Sequence, residues 1–163
     1  MQSKKIKYLT QAAIVAAIYV MLTLISKPFA IGFVEIRISE ALCILPFFLP
    51  SSVWGLFVGC FIANVFSGSI IDIVIGSFST IIGAYLTSKI KNKWLCPLPA
   101  VFSNAILIPF VIMKYSEVWS ISAYFTAMAG VLASEIASVY VLGMILLIAL
   151  EKKNIFKHWI FSA

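Results

Sequence analysis

Residues 4–26, KKIKYLTQAAIVAAIYVMLTLIS, decide the fold. Lys4, Lys5 and Lys7 open the stretch, and nothing from Tyr8 to Ser26 carries a charge. About 20 apolar residues wound as a helix cross a bilayer, and this run has that length. It is long for the apolar core of a signal peptide, and no small-residue cleavage pattern follows before Lys27. It is therefore read as a span that stays in the protein. Lys27-Pro28 ends it, because proline disfavours helix in the residue before it.

The same arrangement of lysines beside an apolar run recurs along the chain. Lys89, Lys91 and Lys93 lie between two later apolar runs, and Lys152, Lys153 and Lys157 follow the last one. Those clusters hold most of the 12 basic residues and account for the net charge of +6. Lysines gathered at span ends mark cytoplasmic loops, so the charge reads as topology rather than nucleic-acid binding. Hydrophobic residues make up 63% of the 163, against about 45–50% in soluble domains. Disorder and an ordinary soluble enzyme are excluded, and the length allows six or seven spans at most.

Six helices are expected, over about 8–26, 39–49, 52–66, 70–88, 97–113 and 118–150. The second is stopped by Pro50 and, as an α-helix, rises only about 15 Å, so it must lean on its neighbours. The sixth is longer than a bilayer needs; it tilts, protrudes or breaks near Gly130 or Gly143. Between the first two, the alternation of Phe33, Glu35 and Arg37 with apolar residues reads as an extended loop. Six passes place all three lysine clusters on one face. The expected fold is an all-α integral membrane bundle, one transmembrane domain over 1–163 in the cell membrane, with both termini cytoplasmic.

Charge within a bilayer is costly and tends to be functional or paired. Glu135, midway along the sixth segment, is the clearest case, as a ligand contact or as a partner of another helix. Glu40 and Asp72 start helices, where a carboxylate either caps or binds. Asn64 and Asn104 fit ligand contact or interhelical hydrogen bonding. Arg37 fits the site or a salt bridge to Glu35 or Glu40. By depth, Glu35, Arg37, Glu40, Asn64 and Asp72 lie toward the outer face, with Asn104 and Glu135 as a floor, which describes a pocket opening outward. Ala12, Ala13, Ala16 and Ala17 form two Ala-x-x-x-Ala pairs that let helices approach closely, inside the bundle or against a partner.

Other chemistry is not expected. No phosphate-binding loop ending in Gly-Lys-Ser/Thr occurs in the sequence. Cys43, Cys60 and Cys96 are odd in number and scattered, which suggests neither disulfides nor a metal site. His158 stands apart in the tail. No cofactor is expected, and no nucleophile–base pair suggests an enzyme.

The stretch Glu35-Ile-Arg37-Ile-Ser-Glu40-Ala-Leu resembles the loop-to-helix signature of the QueT family, substrate-binding S components of energy-coupling factor (ECF) transporters. Gly59 to Asn64, Asp72 to Thr80, Phe102 to Pro109 and Ser134 to Gly143 are similar to the same pattern, so the resemblance covers about residues 8–150. It implies a six-helix S-component bundle that captures a queuosine precursor, the 7-cyano or 7-aminomethyl form of 7-deazaguanine. It implies partners too, a transmembrane coupling subunit and two ATPases, with Ala12, Ala13, Ala16 and Ala17 at the coupling face. Under that resemblance Glu135 accepts from the ring N–H and exocyclic amine, and Asn64 or Asn104 meets the carbonyl or pyrrole edge. Glu35, Glu40 or Asp72 pairs with an aminomethyl cation, Arg37 completes the site, and Phe29, Phe33, Phe66 or Tyr19 stacks on the ring. The alternatives are an S component for another vitamin or purine-like base, or a small self-contained transporter.

Overall fold

The structure, a computed structural model, describes residues 2–26, 37–66 and 70–152. Glu35, Phe29, Phe33, the Ser67–Ser69 turn, Lys153, Lys157 and His158 lie outside those residues. All regular structure among the described residues is helical: α1 (Gln2–Ser26), α2 (Ile38–Phe47), α3 (Ser52–Val65), α4 (Asp72–Thr87), α5 (Leu98–Ser116) and α6 (Ile121–Lys152). Three of them, at Lys4–Ser26, Leu98–Ser116 and Ile121–Lys152, are long and apolar enough to cross a membrane.

The short second segment is the centre of the molecule. It is a 3₁₀-helix of 10 residues, and Ser39 through Pro46 are all buried. A 3₁₀-helix rises about 2.0 Å per residue, so the segment reaches about 20 Å, further than the α-helix expected from sequence. Its threefold repeat stacks Glu40 on Cys43, and the Cys43 thiol donates to Glu40 Oε2 at 3.1 Å. The outer helices pack in the order α1, α3, α4, α5, α6, and α2 lies against α1, α3, α4 and α6. An apolar helix too short to span is thereby shielded from lipid by longer ones.

Small residues set the tightest of these contacts. A Cβ on Gly55 would stand 2.6 Å from the Ala12 carbonyl oxygen, and one on Gly59 would stand 2.9 Å from Tyr19 Cβ and 3.0 Å from the Ala16 carbonyl oxygen. Only glycine at both positions lets α3 lie this close to α1.

Two helices contain a π-helical stretch: Asp72–Gly76 in α4 and Ile136–Leu142 in α6. The long sixth segment therefore does not break at Gly130 or Gly143; it runs on to Lys152 with a locally widened turn after Glu135. It begins at Ile121 rather than 118 because Glu117 adopts the left-handed conformation (φ 54°) and Ser120 Oγ caps the first turn through Ala123 N–H at 3.1 Å. At the lysine-rich end, Lys93 Nζ meets Glu151 at 3.1 Å and Tyr140 donates to the Trp94 carbonyl at 3.2 Å. These contacts fix the α4–α5 connection against α6.

Candidate functional site

Polar side chains form three groups, two of them buried and the third only in part. In the first, Asn104 of α5 lies between α4 and α6. Ser79 donates to its Oδ1, and its Nδ2 donates to Glu135 Oε1 at 2.9 Å. Each donor fixes the next, so the amide has one orientation and holds the carboxylate in place. Asn104 and Glu135 are 5% and 7% exposed, which places a carboxylate inside an apolar bundle. The π-helical turn begins at the residue after Glu135; such turns are frequent at functional sites.

The second group joins α1 to α2. Tyr19, which sequence reasoning offered as a stacking ring, is buried and donates its hydroxyl to Glu40 Oε1 at 2.5 Å. Glu40 makes no capping bond to the backbone of α2; its two oxygens accept from Tyr19 and Cys43. Thr23 donates to Ser39 at 2.7 Å one turn away. α2, which carries Glu40 and Cys43, packs against the π-helical stretch that follows Glu135, so the first two groups approach each other across α2.

The third group lies toward the end of the bundle opposite the lysines. Arg37, extended just before α2, donates to Asn64 Oδ1 at 3.2 Å. Asn64 Nδ2 donates to the Asp72 carbonyl at 3.0 Å and to Cys60 Sγ at 3.4 Å. Tyr115 donates to Asp72 Oδ2 at 2.9 Å. Asp72 thereby ties α4 to α5. Gly76 leaves room for this arrangement, since a Cβ there would stand 2.7 Å from Asn64 Nδ2.

Of the candidates named from sequence, Arg37, Asn64 and Asp72 come together, Asn104 and Glu135 come together, and Glu40 joins Tyr19. Glu35 lies outside the described residues, and Phe66 stands 63% exposed at the end of α3. The four alanines divide by face. Ala16 is buried and Ala12 half-buried against α3, while Ala13 and Ala17 are exposed. Sequence reasoning missed Ser79, Tyr115 and the thiol of Cys43. The last was within reach, because Cys43 stands three residues after Glu40 and a 3₁₀-helix puts that pair on one row.

A small all-helical membrane protein with a hydrogen-bonded polar interior is the class that fold and site define. The chain belongs to the QueT transporter family, whose family model, "QueT transporter", matches residues 9–152. A relative from Lactococcus lactis subsp. cremoris, "Queuosine precursor transporter QueT", is 33% identical over 100 residues, covering 58% of this chain and 59% of that protein. The match thus spans less than two thirds of the relative's length. No solved structure matches the chain.

Proposed function

We propose that this chain is the membrane-embedded substrate-binding subunit for uptake of a queuosine precursor, 7-cyano- or 7-aminomethyl-7-deazaguanine. The observation that carries the reading is the Ser79–Asn104–Glu135 relay. It supplies a buried, oriented carboxylate of the kind that accepts from the ring N–H and exocyclic amine of a guanine-like edge. The name of the Lactococcus relative supports the substrate class.

The work is capture and release, without catalysis. The chain has no phosphate-binding loop, so the driving energy comes from partners: an ECF coupling subunit and two ATPases. The lysine-rich end faces the cytoplasm together with both termini, all six helices are embedded, and the Arg37–Asn64–Asp72 end faces outward, where the substrate enters. Ala13 and Ala17 offer an exposed small-residue strip on α1 for the coupling subunit; Ala12 and Ala16 serve the bundle itself.

The test is binding by the purified protein to both precursors, with guanine and riboflavin as controls. Binding of either precursor tighter than about 10 μM supports the assignment. Weaker binding to both, or equal binding of riboflavin, removes it.

A further inference from the structure

At the lysine-rich end the outer face of α4 and α5 carries a groove of about 630 Å³. Its walls include Ile82, Leu86, Leu95, Phe102 and Ile106, and Lys89 stands at its rim. The walls are almost wholly apolar; Ser103 is the polar exception, and its hydroxyl is turned to the Ser79 carbonyl at 2.9 Å. Those five side chains are 43–54% exposed to the surroundings of the bundle.

Among the described residues no carboxylate pairs with Lys89 or Lys91. Lys93 is engaged by Glu151 at 3.1 Å. Lys89 instead lies over the Tyr85 ring, 5.2 Å from its centroid, and Lys91 is exposed two residues on. Tyr85 and Trp94, both more than half exposed, flank this rim, and aromatic residues of this kind concentrate where a bilayer meets water. An apolar slot with Lys89 at its rim and exposed Lys91 two residues on complements a molecule with a hydrocarbon chain and an anionic head.

We infer that this groove seats one anionic phospholipid, with an acyl chain along Ile82, Leu86, Phe102 and Ile106 and its phosphate at Lys89 and Lys91. Basic pockets between membrane helices hold anionic headgroups by this combination of charge and shape. The inference does not rest on the substrate reading, since lipid retention is read in the absence of any precursor.

The test is native mass spectrometry of the purified protein after exposure to equimolar phosphatidylglycerol and phosphatidylcholine with identical chains. Wild type retains phosphatidylglycerol in preference, and Lys89→Gln with Lys91→Gln abolishes the preference, each lysine contributing about fivefold. Ile82→Trp, which fills the slot and leaves both charges, lowers retention of phosphatidylglycerol as well. All three positions face outward, so the variants keep the fold, which a thermal melt verifies. Equal retention of the two lipids by wild type overturns the inference. So does a preference that survives the double lysine variant, or phosphatidylglycerol retention that Ile82→Trp leaves unchanged.

Discussion

Asn104 Nδ2 donates to Glu135 Oε1 at 2.9 Å, joining the middle of α5 to the residue at which α6 turns π-helical. The bond crosses between helices where both partners are nearly sealed from solvent. If that carboxylate receives the substrate, replacing it with an amide of the same shape removes a charge-assisted acceptor and leaves the fold in place. Glu135→Gln is expected to weaken precursor binding at least about tenfold, or about 1.4 kcal/mol, without lowering the melting temperature. Isothermal titration beside a thermal melt separates the two effects, and an unchanged affinity takes Glu135 out of the site.

Asn104 orients rather than merely fills. Asn104→Leu takes the acceptor from Ser79 and the donor from Glu135 at one stroke, leaving polar groups buried without those partners. A loss of about 1–3 kcal/mol in stability is expected. Unfolding of purified protein in detergent checks it, and a variant as stable as wild type shows that the relay is not a structural element.

The limits of the sequence reading follow from the same residues. Helix existence was legible because it rests on apolar run length and on proline and lysine punctuation, and each of the six expected segments has a helix. What was not legible is pitch. Nothing in ISEALCILPF distinguishes a 3₁₀- from an α-helix, yet that pitch gives α2 its reach and stacks Cys43 on Glu40. The π-helical turns after Glu135 and at Asp72 were hidden for the same reason, since they arise from packing between helices. Partner choice was legible only by depth. Asn104 and Glu135 were expected at one level and meet there, whereas the Tyr19–Glu40 and Tyr115–Asp72 bonds depend on how helices are rotated against one another.

Tyr19 and Glu40 make a second stability test. Glu40 is 1% exposed, and Tyr19 is its donor from α1. Tyr19→Phe keeps the ring and deletes the hydroxyl, which leaves Glu40 Oε1 without that donor. The expected cost is about 1–3 kcal/mol, and the double variant Tyr19→Phe with Glu40→Gln recovers part of it because the buried charge is gone. A double variant no more stable than Tyr19→Phe alone shows that the loss does not come from the carboxylate left without its donor.

Cys96 reports on the lysine-rich end. It is fully buried before α5, its carbonyl accepts from Thr87 at 3.0 Å, and burial, aided by Glu151, pushes its thiol up to about 11. The reactive species is the thiolate, so at pH 8 only about one molecule in a thousand carries it. Iodoacetamide is expected to leave Cys96 unmodified in native protein near neutral pH and to alkylate its thiolate, with loss of iodide, at higher pH or once denaturant is added. Peptide mapping reads this out, and rapid native labelling at pH 7 shows that the α4–α5 connection opens.

The two alanine pairs of α1, one residue apart in sequence, separate packing from docking. One residue along a helix is a rotation of about 100°, so Ala12 and Ala16 face α3 while Ala13 and Ala17 face out. Gly59→Ala drives a methyl group to 2.9 Å from Tyr19 Cβ, and neither backbone can yield without disturbing the Tyr19–Glu40 bond. It is expected to cost about 1–3 kcal/mol and to lower expression. Ala17→Leu adds bulk on the exposed face of α1; under the proposed coupling role, melting temperature and precursor binding stay at wild-type values while uptake falls. Uptake of labelled precursor by cells, measured beside binding to the purified subunit, distinguishes the outcomes. Loss of both functions on Ala17→Leu places that face inside the bundle, and loss of neither removes the proposed coupling role from Ala17.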